Sequence, residues 1–272
     1  MMSMKYLLLL VLFVCFSCIE PNVKDMLGDD FRLYKHTPAW SLAKAVEDED
    51  TTEISKQVLQ MHIPVDYRDP KYKQTLLMLA TRTNKIESVE KLLELGANPN
   101  AHNDSTKYFG QSAVLLACRF TGPSSKILAL LLKYGGDPNS TACGVQEDNL
   151  GDIVPMREFA LSAAVFSSFE KVKLLVDAGA NINYETTTES CAIANCMIHD
   201  RMDIMLYLLQ KGADYRRKFT EIDIDKPDYP TFEVDILYKL RKCVYPIGSK
   251  AYKEKMKVVY FLKRKGLDYW KS

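Results

Sequence analysis

Cys191 and Cys196 lie five residues apart, and two thiols at such short range could form a disulfide bond or contribute to a metal site. A bridge between them is geometrically poor if both lie in one regular helix. Five cysteines follow residue 18, an odd number with irregular spacing and no CxxC motif, which is not a disulfide framework or a zinc pattern. They are Cys118, Cys143, Cys191, Cys196 and Cys243. The surroundings of Cys118 and Cys196 favour small buried apolar residues.

Histidine is the other side chain that commonly does chemistry, as a general acid or base. The four histidines are scattered rather than clustered: His36, His62, His102 and His199. His102 and His199 fall in predicted connectors or turns, where a solvated polar side chain is the ordinary interpretation. The sequence contains no nucleophile elbow, phosphate loop, HExxH motif or Rossmann glycine pattern. We therefore expect no catalytic residues, no cofactor and no metal ion.

Charge and composition bound the function further. The chain has 272 residues, 47% of them hydrophobic, and 36 Lys and Arg against 35 Asp and Glu give a net charge of +1. A dedicated DNA-binding protein is usually much more basic, so we expect no nucleic-acid partner. The charge is uneven, because residues 46–53 carry five acids whereas residues 250–272 carry eight basic residues and two acids. This uneven charge has two possible explanations. It could attract an oppositely charged partner or anionic lipid, or it could simply provide the polar outer faces that keep the ends of a repeat array soluble.

The elements that must position these residues repeat along the chain. One phrase occurs four times: "LLELGANPN" (92–100), "LLKYGGDPN" (131–139), "LVDAGANIN" (175–183) and "LLQKGADYR" (208–216). Apolar residues at helical spacing precede each glycine and predict one buried stripe. Glycine at the stop suits a helix C-cap in the left-handed region, and the following Asn or Asp can bond to nearby backbone in a turn. Each phrase therefore predicts a helix that ends in a turn.

A second signature lies upstream of each glycine. It reads "TLLMLA" (75–80), "SAVLLA" (112–117), "FALSAA" (159–164) and, more faintly, "CAIANC" (191–196). A short apolar helix that ends on a small residue allows close approach of a neighbouring helix. The two signatures predict helix, turn, helix and an extended loop. One such pair cannot cover its own apolar face, so the copies must stack.

These motifs resemble the ankyrin-repeat family, whose 33-residue unit carries T-P-L-H-x-A and L-L-x-x-G-A-x-x-N. The second half fits closely, whereas the first half has lost its Pro and His. The resemblance implies an all-α solenoid of about six stacked helix-turn-helix units over residues 40–272, with finger loops and two long insertions. A degenerate first repeat places His62 at the glycine position, and the last repeat ends at Gly266. The predicted repeats are 40–72, 73–110, 111–155, 156–189, 190–234 and 235–272.

The connectors between repeats differ in length. Residues 101–111 and 184–190 are fingers of ordinary size, whereas residues 140–158 and 215–233 are much longer than the connection requires. Long loops in a compact array are usually functional or disordered. We expect the aromatic and proline residues of the second insertion to order it, and the acidic first insertion to be mobile.

The N-terminus is unlike the rest of the chain. Met1–Lys5 is followed by an unbroken apolar run from Tyr6 to Phe16, too short to span a bilayer, which needs about 20 residues. The run is followed by Ser17 and Cys18. This arrangement resembles a bacterial lipoprotein signal, in which the chain is cleaved at the cysteine, here Cys18, and that cysteine is acylated. Cys15 and Phe16 depart from the usual pattern. Plain secretion without a lipid remains the alternative. We expect residues 1–18 to be a signal peptide, residues 19–39 to be a linker, and the chain to be exported to the periplasmic or cell-surface side of a membrane.

The ankyrin resemblance also implies where a partner would bind, on the finger tips and the exposed side of each first helix. The positions that match are Arg82, Asn84, Tyr108, Phe109, Arg119, Phe120, Phe166, Ser168, Met197 and His199. Exposed aromatic and Arg side chains are typical of interface hot spots. Phe120 and Phe166 could instead fill gaps between repeats.

The resemblances together imply a non-catalytic protein-binding module that is tethered to a bacterial envelope membrane. Exported ankyrin lipoproteins of this kind resemble immunity proteins, which bind and block a secreted toxin. The alternative is an accessory or scaffold protein for a periplasmic enzyme or an envelope complex. Neither hypothesis requires a small-molecule substrate.

Overall fold

The computed structural model describes residues 25–103, 110–119, 122–147, 153–155, 158–186, 190–223 and 225–271. These residues contain twelve α-helices. They pair as α1 (Trp40–Glu47) with α2 (Thr51–Leu59), α3 (Leu76–Arg82) with α4 (Ile86–Glu94), α5 (Ala113–Arg119) with α6 (Ser125–Lys133), α7 (Ala160–Ser167) with α8 (Phe169–Asp177), α9 (Ala192–Ile198) with α10 (Met202–Gln210), and α11 (Ile236–Lys242) with α12 (Lys250–Arg264). Each pair falls within one predicted repeat. The predicted solenoid of six helix-turn-helix units is confirmed.

The helix pairs stack in sequence order. The first helices pack side by side from α1 through α9, and the second helices pack from α2 through α8, with α10 packed against α12. Their buried apolar residues join into one continuous core that runs along the array. Because each pair covers the apolar face of the next, the stacking provides the burial that a single pair cannot.

The glycines of the repeated phrase adopt the predicted left-handed conformation. Gly96, Gly135, Gly179, Gly212 and Gly266 all have φ between 86° and 103°. His62, predicted at the glycine position of the first repeat, has φ 56° and makes the same turn with a side chain attached. A Cβ costs energy in this region, which explains why glycine recurs at the other turns.

The Asn or Asp two residues after each glycine closes the turn locally. The Oδ1 of Asn98 accepts a hydrogen bond from the N–H of Asn100 at 2.9 Å, and Asp137 accepts from Asn139 at 2.8 Å. The equivalent bonds recur at Asn181, Asp214 and Asp268. The predicted side-chain turn is therefore present at five of the six repeat ends.

The residue four positions after the glycine reaches further, into the next repeat. Its side-chain Oδ1 accepts from the N–H of the turn residue there: Asp66 from Asn98 at 3.1 Å, Asn100 from Asp137 at 2.7 Å, Asn139 from Asn181 at 2.7 Å, and Asn183 from Asp214 at 2.9 Å. We call these four bonds the turn ladder. Arg216 occupies the next position, and an arginine has no acceptor, so the ladder ends at Asp214.

The segment before the first repeat is folded, so the prediction of a linker over residues 19–39 is wrong for its described part. A 3₁₀-helix (Phe31–Tyr34) buries Phe31, Leu33 and Tyr34 in the common core. The Tyr34 hydroxyl donates to the backbone carbonyl of Gln74 at 2.8 Å. The first repeat has no preceding neighbour, and this segment supplies apolar contacts to it instead.

Both long insertions form antiparallel hairpins. In the first, β1 (Val145–Glu147) pairs with β2 (Ile153–Pro155), so the expectation of a mobile segment is wrong for these strands. In the second, β3 (Phe219–Ile222) pairs with β4 (Thr231–Val234), which agrees with the expectation of an ordered segment. No helix in the described ranges is long and apolar enough to cross a membrane.

The root of the second hairpin is fixed to the last repeat. Phe219 and Val234, which face each other across the strands, are both buried. The carboxylate of Glu221 contacts the ammonium groups of Lys239 and Lys242 on α11, the latter at 3.1 Å. The hydrogen bond from Lys239 in particular holds the pKa of Glu221 below its usual range. The hairpin is therefore attached by both apolar packing and charge.

Candidate functional site

The first helices place one residue per repeat at an equivalent position beside the turn into the second helix. Counting seven residues from the helix start gives Arg82, Arg119, Phe166, Ile198 and Lys242 in repeats two to six. The position is therefore basic in repeats two, three and six and apolar in repeats four and five. The basic half (repeats two and three) and the apolar half (repeats four and five) differ in what they can bind.

The apolar half is exposed. Phe166 and Ile198 have 60% and 70% of their surface accessible, so neither fills a gap between repeats. The Phe166 ring stands edge-on to the imidazole of His199, with the ring centroids 5.1 Å apart. That contact joins the end of α7 to the turn after α9.

Repeat six also carries exposed apolar side chains. Val244 and Ile247, in the turn after α11, are even more exposed than Phe166. Between them, the Tyr245 hydroxyl donates to Oδ1 of Asp200 in repeat five at 2.6 Å. Burial, together with this bond to a carboxylate, raises the pKa of Tyr245, so the hydroxyl stays protonated as the donor. We call Phe166, Ile198, His199, Val244, Tyr245 and Ile247 the helix-end strip.

The basic half is partly buried and already engaged. Arg119 lies 3.5 Å from the carboxylate of Glu158, and burial raises the pKa of that carboxyl group. Glu158 also accepts from Nε2 of Gln111 at 3.4 Å. Burial lowers the pKa of Arg82, and nearby Asp29 offsets part of that effect. These side chains form a polar network rather than a free surface.

The structure separates the predicted binding residues into several groups. Asn84 is exposed, but its Oδ1 accepts from the N–H of Ser124 at 2.8 Å, so it links repeats two and three. Ser168 lies in the extended link between α7 and α8. Met197 is only 9% exposed and packs in the core, so its predicted place on the surface is wrong. Four predicted residues lie outside the described residues: Cys18, Tyr108, Phe109 and Phe120.

Ile198, Val244, Tyr245 and Ile247 were not predicted as binding residues. Ile198 was predictable, because it occupies the same position in α9 as Phe166 does in α7. The predicted residue, Met197, lies one residue before that position. Since side chains on a helix change direction by about 100° per residue, one step moved the prediction from the surface into the core. The other three follow the degenerate last repeat, where no sequence motif marks the turn.

Three of the cysteines behave as buried apolar residues. Cys118, Cys191 and Cys196 are buried, and burial raises the pKa of all three, that of Cys118 to about 12. A thiol with a raised pKa is a poor nucleophile. The cysteines of the described ranges are all free thiols, and those same ranges contain no group of three His, Cys, Asp or Glu that could hold a metal ion.

Two clefts lie near the end of the array. One, of about 540 Å³, opens between the last two repeats and is lined by Asp214, Tyr215, Arg216, Phe261 and Lys265 among others. The second, of about 290 Å³, lies at the root of the β3–β4 hairpin beside Arg217 and Glu233. The first cleft is lined by both apolar and polar groups and the second mainly by polar groups. Both open widely to solvent, unlike the pockets that enclose small molecules.

Comparisons with known proteins agree with this architecture. A sequence model of ankyrin repeats, in three copies, matches residues 42–142. The chain is 26% identical over 189 residues to the Caenorhabditis elegans "Ankyrin repeat and KH domain-containing protein mask-1". The aligned region covers 70% of this chain but only 6% of that protein. The crystal structure of EF0377, an ankyrin repeat protein, superposes with a TM-score of 0.55 at 21% identity, over 81% of this chain and 96% of that one. Ankyrin repeats bind other proteins and are generally not enzymes. The repeated helix pairs and the shared structure show that the chain has the ankyrin-repeat solenoid fold, and residues 42–142 match the sequence model of ankyrin repeats.

Proposed function

We propose that this solenoid binds a partner protein through the helix-end strip. The observation that carries the proposal is the set of exposed apolar side chains at the ends of α7 and α9 and in the turn after α11, where the Phe166–His199 and Tyr245–Asp200 contacts link the repeats. Exposed apolar residues that cluster on a protein surface usually mark an interaction site. The strip combines an aromatic ring with branched aliphatic residues, which suits the desolvated centre of a protein interface.

The shape of the strip favours a protein over a small molecule. Its residues stand on three successive repeats and lie on an open surface rather than in an enclosed cavity. A small ligand there would keep much of its own surface in water, whereas a protein surface can cover several repeats at once.

We further propose that the chain acts outside the cytoplasm, held at a bacterial envelope membrane through a lipid on Cys18. The apolar run from Tyr6 to Phe16 and the Ser17–Cys18 pair support this proposal. A tether confines the search for a partner to the zone beside the membrane, which raises the effective concentration of the solenoid there.

The partner that we propose is a secreted effector toxin, which the solenoid blocks as an immunity protein. A binding surface on a non-catalytic scaffold fits this role, because occlusion requires area and affinity but no chemistry. The alternative is a scaffold for a periplasmic enzyme or an envelope complex. The sequence expectation and the strip are compatible with both roles, and the identity of the partner separates them.

The test is affinity capture from detergent-solubilised envelope and from culture supernatant, followed by mass spectrometry and titration of the captured protein. Phe166→Ala combined with Ile198→Ala should weaken binding at least about tenfold, as expected for hot-spot residues. Leu59→Ala combined with Met61→Ala removes exposed apolar side chains at the other end of the array and should leave binding unchanged. Equal binding by both double variants would exclude the strip as the binding surface.

The captured protein also decides the role. A secreted protein that is toxic when expressed alone, and harmless when co-expressed with this chain, would support the immunity proposal. A resident envelope protein bound through the same strip would support the scaffold alternative. If co-expression left a captured toxin fully active, blocking would be excluded even though binding remained.

A further inference from the structure

The exposed face of the last helix carries a strip of positive charge. Its outward residues are Lys250, Lys253, Lys257, Tyr260 and Arg264, whose spacing of three or four residues places them on one side of α12. The opposite side, with Val258, Val259 and Leu262, is buried against the array. Since α12 belongs to the last repeat, its cations face away from the rest of the solenoid.

The charge on this face is mostly positive. Glu254 is the acidic residue within α12, and its carboxylate pairs with the ammonium group of Lys257 at 2.8 Å. Lys250, Lys253 and Arg264 form no ion pair within the described part of the chain. A face with an excess of positive charge attracts an oppositely charged surface.

Two aromatic side chains stand beside the cations. Tyr260 and Trp270 are each more than half exposed, and their ring centroids are 5.9 Å apart. The ammonium group of Lys263 lies 5.1 Å from the centre of the Trp270 ring. Trp, Tyr and Lys together are typical of the membrane–water interface, where the rings contact the headgroup region and the ammonium groups contact phosphates.

We propose that this surface, the terminal basic face (Lys250, Lys253, Lys257, Tyr260, Lys263, Arg264 and Trp270), binds the anionic headgroups of a phospholipid bilayer. A helix of this length extends about 22 Å, so its cations contact several headgroups of a flat surface at once. A single-stranded nucleic acid would need a groove with ring faces open for base stacking. Here Trp270 is instead flanked by Tyr260, Tyr269 and Lys263 on an outer face.

This proposal does not depend on the helix-end strip, on a partner protein or on Cys18. It would, however, complement a tether at the other end of the chain, because the solenoid would then lie along the membrane. Each Lys or Arg close to an anionic bilayer strengthens binding by roughly fivefold, and the effect weakens as salt screens the charges.

The test measures co-sedimentation of the full chain with vesicles of phosphatidylcholine alone and with vesicles containing roughly one-third phosphatidylglycerol. The apolar N-terminal run can bind both kinds of vesicle, so the informative quantity is the ratio of the two affinities. We expect a preference of at least about tenfold for the anionic vesicles, which Lys253→Glu combined with Lys257→Glu should abolish. Lys44→Glu combined with Lys126→Glu makes the same charge change at exposed positions elsewhere and should keep the preference.

Trp270 supplies a second readout at the proposed contact. The chain has two tryptophans, so Trp40→Phe leaves Trp270 as the sole indole. Its fluorescence should shift to shorter wavelength on anionic vesicles and stay unchanged on neutral ones. Soluble glycerophosphate at millimolar concentration should not reproduce the shift, since the face contacts an array of headgroups rather than one phosphate.

Three outcomes would overturn the proposal. One is a preference for anionic vesicles that survives Lys253→Glu combined with Lys257→Glu; the second is Trp270 emission that does not change on binding. The third is a DNA oligonucleotide that binds more tightly than the anionic vesicles at the same salt and displaces them, which would assign the face to nucleic acid. Circular dichroism confirms that each variant is folded, and Lys250→Gln combined with Arg264→Gln repeats the test should the first pair unfold.

Discussion

The ring of Phe166 stands edge-on to the imidazole of His199, and this contact crosses from repeat four to repeat five. An exposed phenylalanine would otherwise sample several rotamers and lose that freedom on binding a partner. The contact holds the ring in one orientation before a partner arrives, and such preorganisation lowers the entropy cost of binding.

His199→Ala should therefore weaken partner binding even if His199 itself touches no partner atom. An aromatic pair contributes about 0.5–1.5 kcal/mol, so we expect a loss of roughly twofold to tenfold, measured by calorimetry with the captured partner. His199→Phe retains an aromatic edge and should restore most of the affinity. If His199→Phe bound as weakly as His199→Ala, the imidazole would be acting through a polar contact instead.

The turn ladder should contribute to stability across repeat boundaries. Asn100→Ala removes the acceptor for the N–H of Asp137 and the donor to the carbonyl of Gly135. Because both bonds are exposed and water can replace them, we expect a loss of about 0.5–1.5 kcal/mol in the free energy of unfolding, measured by urea denaturation. Lys126 is exposed on α6 and takes no part in the turn ladder. The free energy of unfolding of Lys126→Ala should therefore lie within about 0.5 kcal/mol of that of the parent protein.

The left-handed turns predict two opposite effects. His62→Gly relieves a Cβ at φ 56° and should stabilise the chain by about 0.5–1 kcal/mol, even though glycine adds entropy to the unfolded state. Gly96→Ala introduces that strain at φ 89°, with open space around the new methyl group, and should destabilise by about 1 kcal/mol. Thermal denaturation of the two variants provides the comparison. Equal signs would mean that strain at this turn is not what selects glycine.

Acid should loosen the β3–β4 hairpin. The folded-state pKa of Glu221 lies below its unfolded value of about 4.3. The ionised carboxylate therefore stabilises the hairpin fully above that pH, and this stabilisation is lost as the pH falls through the lower folded-state pKa. Because the ion pairs are partly exposed, we expect the loss in the free energy of unfolding to be about 0.5–1 kcal/mol. Amide chemical shifts of Phe219 and Phe232 titrated between about pH 6 and pH 3 would detect the change. Glu221→Gln should show a loosened root at neutral pH and no further acid transition there.

Thiol labelling should separate exposed from buried cysteines. Cys143 is exposed and should react with iodoacetamide in the native protein, whereas Cys118 and Cys196 should react only after denaturation. Mass spectrometry of digested protein locates the labels. Native labelling of Cys118 at the rate of Cys143 would contradict the packing of α5.

Local sequence rules predicted the helix pairs and even the unusual turn at His62, because apolar spacing and left-handed backbone act over a few residues. They also predicted that Asn98 and Asp137 would bond within their own turns. The reach of Asn100 into the next repeat was not predicted, since it depends on the distance between neighbouring units. Short-range patterns likewise missed the burial of Tyr34, whose hydrogen-bond partner lies 40 residues away.

The candidate site was only partly predictable for the same reason. Phe166 stands in a repeat with both signatures, and His199 follows the fainter signature at 191–196 in a repeat whose glycine phrase at 208–216 is clear, so the sequence located both. Tyr245 and Ile247 follow a degenerate repeat, and their position depends on how the turn after α11 packs beside Asp200. That contact is tertiary, and nothing in the adjacent sequence specifies it.

The end of the turn ladder at Asp214 divides the molecule energetically. Between repeats five and six there is no rung, the 540 Å³ cleft lies at the turn, and α9 makes little contact with α11, unlike the earlier first helices. Repeat six is therefore held chiefly by α12 against α10 and by the hairpin root. We expect it to open as a separate cooperative unit, so that its amide hydrogens exchange with solvent well before those of the other five repeats. Val244, Ile247 and the whole terminal basic face would then belong to the part of the solenoid with the lowest opening free energy.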